Sequence, residues 1–306
     1  MGRKIMQSLK TKIFTCLLSF VMAFSMLPAM GSAAATKYPV EGKCGNNVNY
    51  SLASDGTMTI SGTGPMYDFI YDTTTNIPWW NYRYEIRKLV IRNGVERVGN
   101  FSFALCTNLK TITWPTNGSL KSIGKCAFAK NYSLTAVNLP TGLISVGYEA
   151  FMDDSAVTEL TLPNTLVTIA YGAFANLTNV TKVYLPASVK TIGDFAFRGM
   201  KSMVKFTGGA GLETIGVQAF EHCWKLSNFV ITSKKLKKIG KAAFLCDSKL
   251  KTIYIKNTTK LTKKGVKNSM YLSSVKKVKV KKSKVKKYKK FFTYRNCAKR
   301  GVKVKK

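Results

Sequence analysis

The chain has one histidine in 306 residues, His222. That scarcity excludes a histidine-built metal centre, and a Ser/His/Asp or Cys/His catalytic set would have to run through one imidazole. Acidic residues are also few, with 14 Asp and Glu against 49 Lys and Arg, and none follows Asp247. The formal net charge of +35 is therefore unevenly placed. Residues 256–306 hold 21 basic side chains and no acid, residues 1–35 hold four, and the remaining 24 share residues 36–255 with all 14 acids. Past residue 35 no apolar run approaches the roughly 20 residues that a bilayer-spanning helix needs. What is plentiful is apolar and aromatic material, 45% hydrophobic with 17 Phe, 14 Tyr and 4 Trp, which argues for a folded core and against wholesale disorder.

The first 35 residues run from basic (Arg3, Lys4, Lys10, Lys12) through apolar (Ile13 to Pro28) to small (Ala29, Gly31, Ser32, Ala33, Ala34, Ala35). This order reads as a secretory signal peptide with Ala33-x-Ala35 as its cleavage site. Export is the expectation, with no transmembrane segment left after the leader is removed.

A repeat organises most of the remaining chain. Val98-Gly99-x-x-x-Phe103 returns as Ile123-Gly124-x-x-Ala127-Phe128 and again up to Ile239-Gly240-x-x-Ala243-Phe244. The Phe column lies at 103, 128, 151, 174, 197, 220 and 244, in steps of 25, 23, 23, 23, 23 and 24. Between these blocks runs a second apolar column spaced i, i+3, i+5, as in Leu134/Val137/Leu139 and Leu250/Ile253/Ile255. The last step of that spacing is strand alternation. Pro115, Pro140, Pro163 and Pro186 come directly after it, where a residue without an N–H ends ladder pairing. One coil of about 23 residues cannot bury both columns by itself, but stacked coils can, with strands about 4.8 Å apart. The column extends upstream to Ile86/Leu89/Ile91 and downstream to Val275/Val278/Val280 and Val302/Val304, about ten strands over roughly 40–45 Å. Ahead of it, Val48/Tyr50/Leu52, Asp55-Gly56 and Met58/Ile60 predict a β-hairpin. Pro65, Tyr67, Phe69, Trp79 and Trp80 then supply bulk to cap the first coil.

These residues resemble the BspA-type leucine-rich repeat, the subfamily typified by a Treponema pallidum protein. The pattern L-x-x-I-x-L-P-x-x-L-x-x-I-G-x-x-A-F carries the likeness, and the module from Cys44-Gly45-Asn46 to Gly62-Thr63-Gly64 is similar to the one that often precedes such repeats. The resemblance spans about residues 40–306. It implies an α/β solenoid with a parallel β-sheet on one face and a surface-attachment or binding role, with no catalytic residue to carry over. The Asn or Cys ladder of ordinary leucine-rich repeats is absent. The expected organisation is a signal peptide (1–35), a β-rich cap with its hairpin (36–85), the repeat solenoid (86–256) and Lys-rich capping coils (257–306).

Other motifs read as parts of the repeat. Gly118 to Gly124-Lys125 has the wrong spacing for a phosphate loop, and Asp153-Asp154 sits at a solvated corner. Leu139-Pro140-Thr141-Gly142 and Leu162-Pro163-Asn164-Thr165 are repeat corners rather than wall-sorting signals. His222 and Cys223 are adjacent and so point apart, which speaks against a thiol–imidazole pair. Cys223 and Cys246, 23 residues apart on neighbouring coils, are a candidate disulfide. No cofactor and no metal is expected.

Two surfaces are candidate contacts. One is the solvent-facing strand column Thr113, Asn138, Thr161, Tyr184, Thr207, Val230 and Tyr254, flanked by Lys110, Glu159, Lys182, Lys205 and Lys251, because a solenoid's sheet face is its usual binding surface for protein or glycan. The other is the lysine run Lys276, Lys277, Lys279, Lys281, Lys282, Lys284, Lys286 and Lys287, for an anionic cell-wall polymer or simply as a soluble coat that protects a strand edge. Tyr288, Phe291, Phe292 and Tyr294 interleave with lysine, but their spacing favours packing on the last coil over nucleic-acid stacking.

Overall fold

In a computed structural model of the chain, residues 38–71, 75–256, 258–293 and 302–306 are described. The leader and Tyr294 lie outside them. The alternating columns form long strands that stack in parallel and in register, from Lys88–Ile91 through Thr111–Thr113, Ala136–Asn138 and Glu159–Thr161 to Lys182–Leu185. The stack goes on through Lys205–Gly208, Asn228–Ile231 and Thr252–Ile255 to Lys277–Val280 and Lys303–Lys305. All ten strands expected from the column are present, and their ladder is interrupted after Thr111–Thr113 and after Glu159–Thr161.

Most coils contribute a second, short strand just before the Gly position, such as Ser145–Val146 and Thr191–Ile192, and eight short strands pair into another parallel sheet. The Gly position brings successive backbones together. A Cβ on Gly147 would lie 2.7 Å from the carbonyl carbon of Gly124, and one on Gly240 would lie 2.3 Å from that of Gly216. Residues larger than Ala170, which takes this position in one coil, would push the coils apart here.

The third side of the coil, the arm that carries Phe, is made of turns rather than helix. Alternate N–H groups of the arm donate to the next coil: Phe128 to Ala150 O at 2.8 Å, Phe151 to Ala173 O at 2.9 Å and Phe174 to Ala196 O at 2.9 Å. Two residues on either side of each Phe the backbone takes a positive φ, as at Cys126 and Lys130, Glu149 and Asp153, and Gln218 and His222. No β-branched residue occupies these positions, as the steric cost of that conformation requires. The only α-helix among the described residues is the five-residue Val285–Lys289.

The phenyl rings stack from coil to coil with centroids 5.1 to 5.8 Å apart, and each is fully buried. Trp79 starts the stack, 5.4 Å from Phe103, and its indole N–H donates to Ser102 O. At the other end the positive-φ pair Asn268 and Leu272 brackets buried Met270, so one more coil has the same arm without a ring. The hairpin does more than cover the first coil. Its strand Thr57–Gly62 pairs in parallel with Lys88–Ile91, and Gly64–Pro65 just after it pairs with Val95–Val98, so the hairpin and the residues that follow it join both sheets. Tyr288 and Phe292 are buried, and the Tyr288 hydroxyl donates to Thr258 O at 3.0 Å, which places them as packing groups on the last coils.

Candidate functional site

Because long-strand side chains alternate, every second residue leaves the core and joins a row across the stack. Tyr184, Thr207, Val230 and Tyr254 stand opposite one another in consecutive strands, and Asn138 stands opposite Thr161. Thr113 is opposite Val90, which in turn is opposite Thr59 of the hairpin. The expected strip is thus brought together, in three segments set by the ladder interruptions. Thr113, Asn138, Thr161 and Tyr184 are exposed, Tyr184 at 61%, while Thr207, Val230 and Tyr254 are half-exposed. The ammonium of Lys205 lies 5.4 Å from the Tyr184 ring centre.

The row also runs further than the sequence pattern marked. Tyr254 is followed by Lys279 and then Lys305. A parallel outward row, two residues earlier in each strand, pairs Lys182 with Lys205, Lys205 with Asn228, Thr252 with Lys277 and Lys277 with Lys303. The structure accordingly divides the expected lysine set. Lys277 and Lys279 face outward from the strand and Lys281 comes just after it, whereas Lys282, Lys284, Lys286 and Lys287 lie on the turn and short helix that leave the sheet. Lys276 precedes the strand and is exposed. In exchange, Lys256, Lys303, Lys305 and Lys306 join the face. Tyr254, Lys256, Lys279, Val280, Lys281 and Lys306 line an open cleft of about 270 Å³, with the Lys279 ammonium 5.6 Å from the Tyr254 ring centre.

The candidate disulfide is not formed. Both cysteines are free. Cys223 lies three residues past its Phe, where the side chain turns into the core, and its thiol donates to Phe197 O at 3.2 Å. Cys246 lies two residues past its Phe, at a positive-φ position that faces solvent. The residue equivalent to Cys223 in the next coil is Asp247, whose carboxylate accepts the Cys223 N–H at 2.8 Å. Asp154 does the same for Asn131 at 2.8 Å, so Asp154 belongs to the interior rather than to a solvated corner.

Burial, with the nearby Asp247 carboxyl, pushes the Cys223 thiol well above the ordinary range, which leaves it a poor nucleophile at neutral pH. Its neighbour His222 is half-exposed, with Nδ1 3.9 Å from Glu221 Oε1 and its ring edge-on to Trp224. The imidazole and the thiol thus serve different surroundings. Among the described residues no three His, Cys, Asp or Glu side chains group as metal ligands, and no helix is long and apolar enough to cross a membrane.

Comparison with known proteins agrees with this geometry. The family model described as the BspA type leucine rich repeat region matches residues 80–192 and 167–298 in six copies. No curated protein sequence matches the chain. Among solved structures, the leucine-rich repeat protein of T. pallidum is 23% identical at a TM-score of 0.47, covering 58% of this chain and 86% of its own. One from Bacteroides ovatus is 20% identical at 0.48, covering 85% and 76%. A leucine-rich cell surface protein from Faecalibacterium prausnitzii is 19% identical at 0.36, covering 82% and 89%. With the repeat matched over most of its length and stacked as that repeat requires, the chain belongs to the BspA-type leucine-rich repeat family.

Proposed function

We propose that this is an exported, cell-surface, non-catalytic binding protein that holds a protein or glycan ligand on its long-strand face. The observation that carries the reading is the in-register outward row that begins at exposed Tyr184, since large aromatics beside long cationic side chains are the groups from which interface anchors are drawn. The basic leader and the cell-surface relative from F. prausnitzii support the location. Pull-down of the mature protein against envelope fractions and host matrix should yield a ligand whose capture falls at least tenfold in Tyr184→Ala, with an unchanged thermal midpoint. Capture equal to wild type would remove the strip from consideration.

A second reading is favoured by the acid-free stretch after Asp247: the lysine-rich coils hold the protein noncovalently on an anionic envelope polymer. Screening at a few hundred millimolar salt should then release cell-bound protein into the medium. Retention that resists salt would discard this reading.

A further inference from the structure

Lysines pair once higher on the long-strand face, Lys182 opposite Lys205, but only at its end do both outward rows pair lysine with lysine. Lys277 stands directly opposite Lys303, and Lys279 opposite Lys305, while the same outward rows in the two preceding strands hold Asn228, Val230, Thr252 and Tyr254. Like charges in direct register disfavour a sheet. No acidic side chain is near in sequence to neutralise them, since the last, Asp247, is buried. Elsewhere the protein does pair such a lysine, Lys237 with Glu213 at 2.6 Å. Protection of the terminal strand edge accounts for Lys303 and Lys305. It accounts neither for Lys277 and Lys279 one strand further in, nor for an aromatic ring among them.

The ring supplies the second half of a site. Tyr254 and Val280 line the cleft of about 270 Å³ with Lys256, Lys279, Lys281 and Lys306 around them. This is close to the lower end of small-ligand pockets, about 300 Å³. An aromatic face carries negative charge density and receives the weakly positive C–H face of a sugar ring, while the surrounding ammonium groups receive its acid group. A polymer of the same charge without rings would use the lysines alone.

Resting on the retention reading, we infer that this cleft binds one acidic sugar unit of a polysaccharide, carboxylated or sulfated, with Tyr254 under the ring and Lys256, Lys279, Lys281 and Lys306 at its acid group. Neighbouring units of the chain then cross Lys277, Lys303 and Lys305, which gives the in-register lysines their counter-charge. The site differs from the surroundings of Tyr184, which has Lys205 beside its ring, in that four lysines and a ring line one cleft.

The mature full-length protein is titrated with four probes: oligogalacturonate, a heparin oligosaccharide, an oligo(glycerol phosphate) of equal charge, and neutral dextran. Both acidic saccharides should bind at least tenfold more tightly than the glycerol phosphate, and dextran not at all; preference for one of the two separates a carboxylated from a sulfated source. Tyr254→Ala should weaken saccharide binding about tenfold without changing its salt dependence. Lys279→Gln with Lys281→Gln should weaken it similarly and lower the log–log salt slope by about two, near one for each ammonium–anion pair removed. Tyr254→Phe, which keeps the ring, should bind as wild type, and exposed Lys190→Gln with Lys225→Gln should stay within twofold. Equal binding of glycerol phosphate and saccharides, or an unaffected Tyr254→Ala, would reduce the site to diffuse charge and overturn the inference. Salt release of the protein from cells would still be expected in that case, so the retention reading stands or falls separately.

Discussion

The coils between residues 100 and 255 and those after residue 258 share one strand geometry but differ in how each is filled. In the first group every coil adds a phenyl ring to one continuous stack, and the buried column three residues past it holds Asn131, Asp154, Cys223 or Asp247 as well as apolar Leu177 and Met200. In the second group Met270 takes the ring's place and a short helix brings in Tyr288 and Phe292. All the surface charge there is positive. The contrast teaches that the inward columns specify the coil, while the outward rows are free to change character completely over two strands.

The largest test removes a ring. Phe174→Ala empties the middle of the stack and should cost about 3–5 kcal/mol in urea denaturation. Met270→Ala should cost about 2–3 kcal/mol, with loss of amide protection confined to residues after 250. Protection lost uniformly along the chain in both variants would show that the two regions are one cooperative unit and erase the contrast.

A smaller, pH-dependent effect comes from the junction between them. Burial pushes the Asp247 carboxyl up to about 9, opposed by the Cys223 N–H and aided by Glu221. With the folded value above the unfolded one of about 3.9, its contribution is complete below pH ~4 and is lost as pH rises toward 9. Stability should therefore fall between pH 5 and 8, by at most about 1.4 kcal/mol per unit for this group. Asp247→Asn keeps an oxygen for the Cys223 N–H and should flatten that slope, leaving the part due to Asp154, whose carboxyl is raised by burial in the same sense. Urea midpoints at the two pH values decide it, and an unchanged slope would clear Asp247 of the effect.

The smallest expected change is at a positive-φ position of the arm. Gln218→Gly relieves the left-handed conformation and should raise stability by about 0.5–1 kcal/mol after the entropy of glycine is counted. Gln218→Val should lower it by more than about 1 kcal/mol. A calorimetric ordering of Val above Gly would mean that this side chain, and not the turn geometry, matters at the arm.

The solenoid was legible because its inward columns repeat with one period, and every coil read from Phe103 to Phe244 is present. The ends of the stack were not. Trp79 stands 24 residues before Phe103, and the spacing alone would have found it, but no I-G-x-x-A precedes it. Met270 has neither the Gly nor the aromatic that defined the column. The hairpin's entry into the long-strand sheet was hidden because Thr57–Gly62 has an antiparallel partner on one side and a parallel one on the other. Cys246 stands one residue short of the column that holds Cys223, enough to put it on the solvent side of a left-handed turn. The lysine face could not be read from a run, since strand alternation sends Lys277 and Lys279 outward while the chain carries Lys282 to Lys287 away and returns with Lys303 and Lys305.

The arm's coil-to-coil hydrogen bonds and the 23-residue step have a consequence for distance. Tyr184 and the Tyr254 cleft are carried by strands three apart, so about 14 Å of stack lies between them. Adding or removing one whole coil between residues 186 and 250 would change that separation by about 4.8 Å and leave each site's own neighbours in place. The solenoid is in this sense a graduated ruler, on which the gap between a ring-centred contact and an acid-sugar contact is set by counting coils.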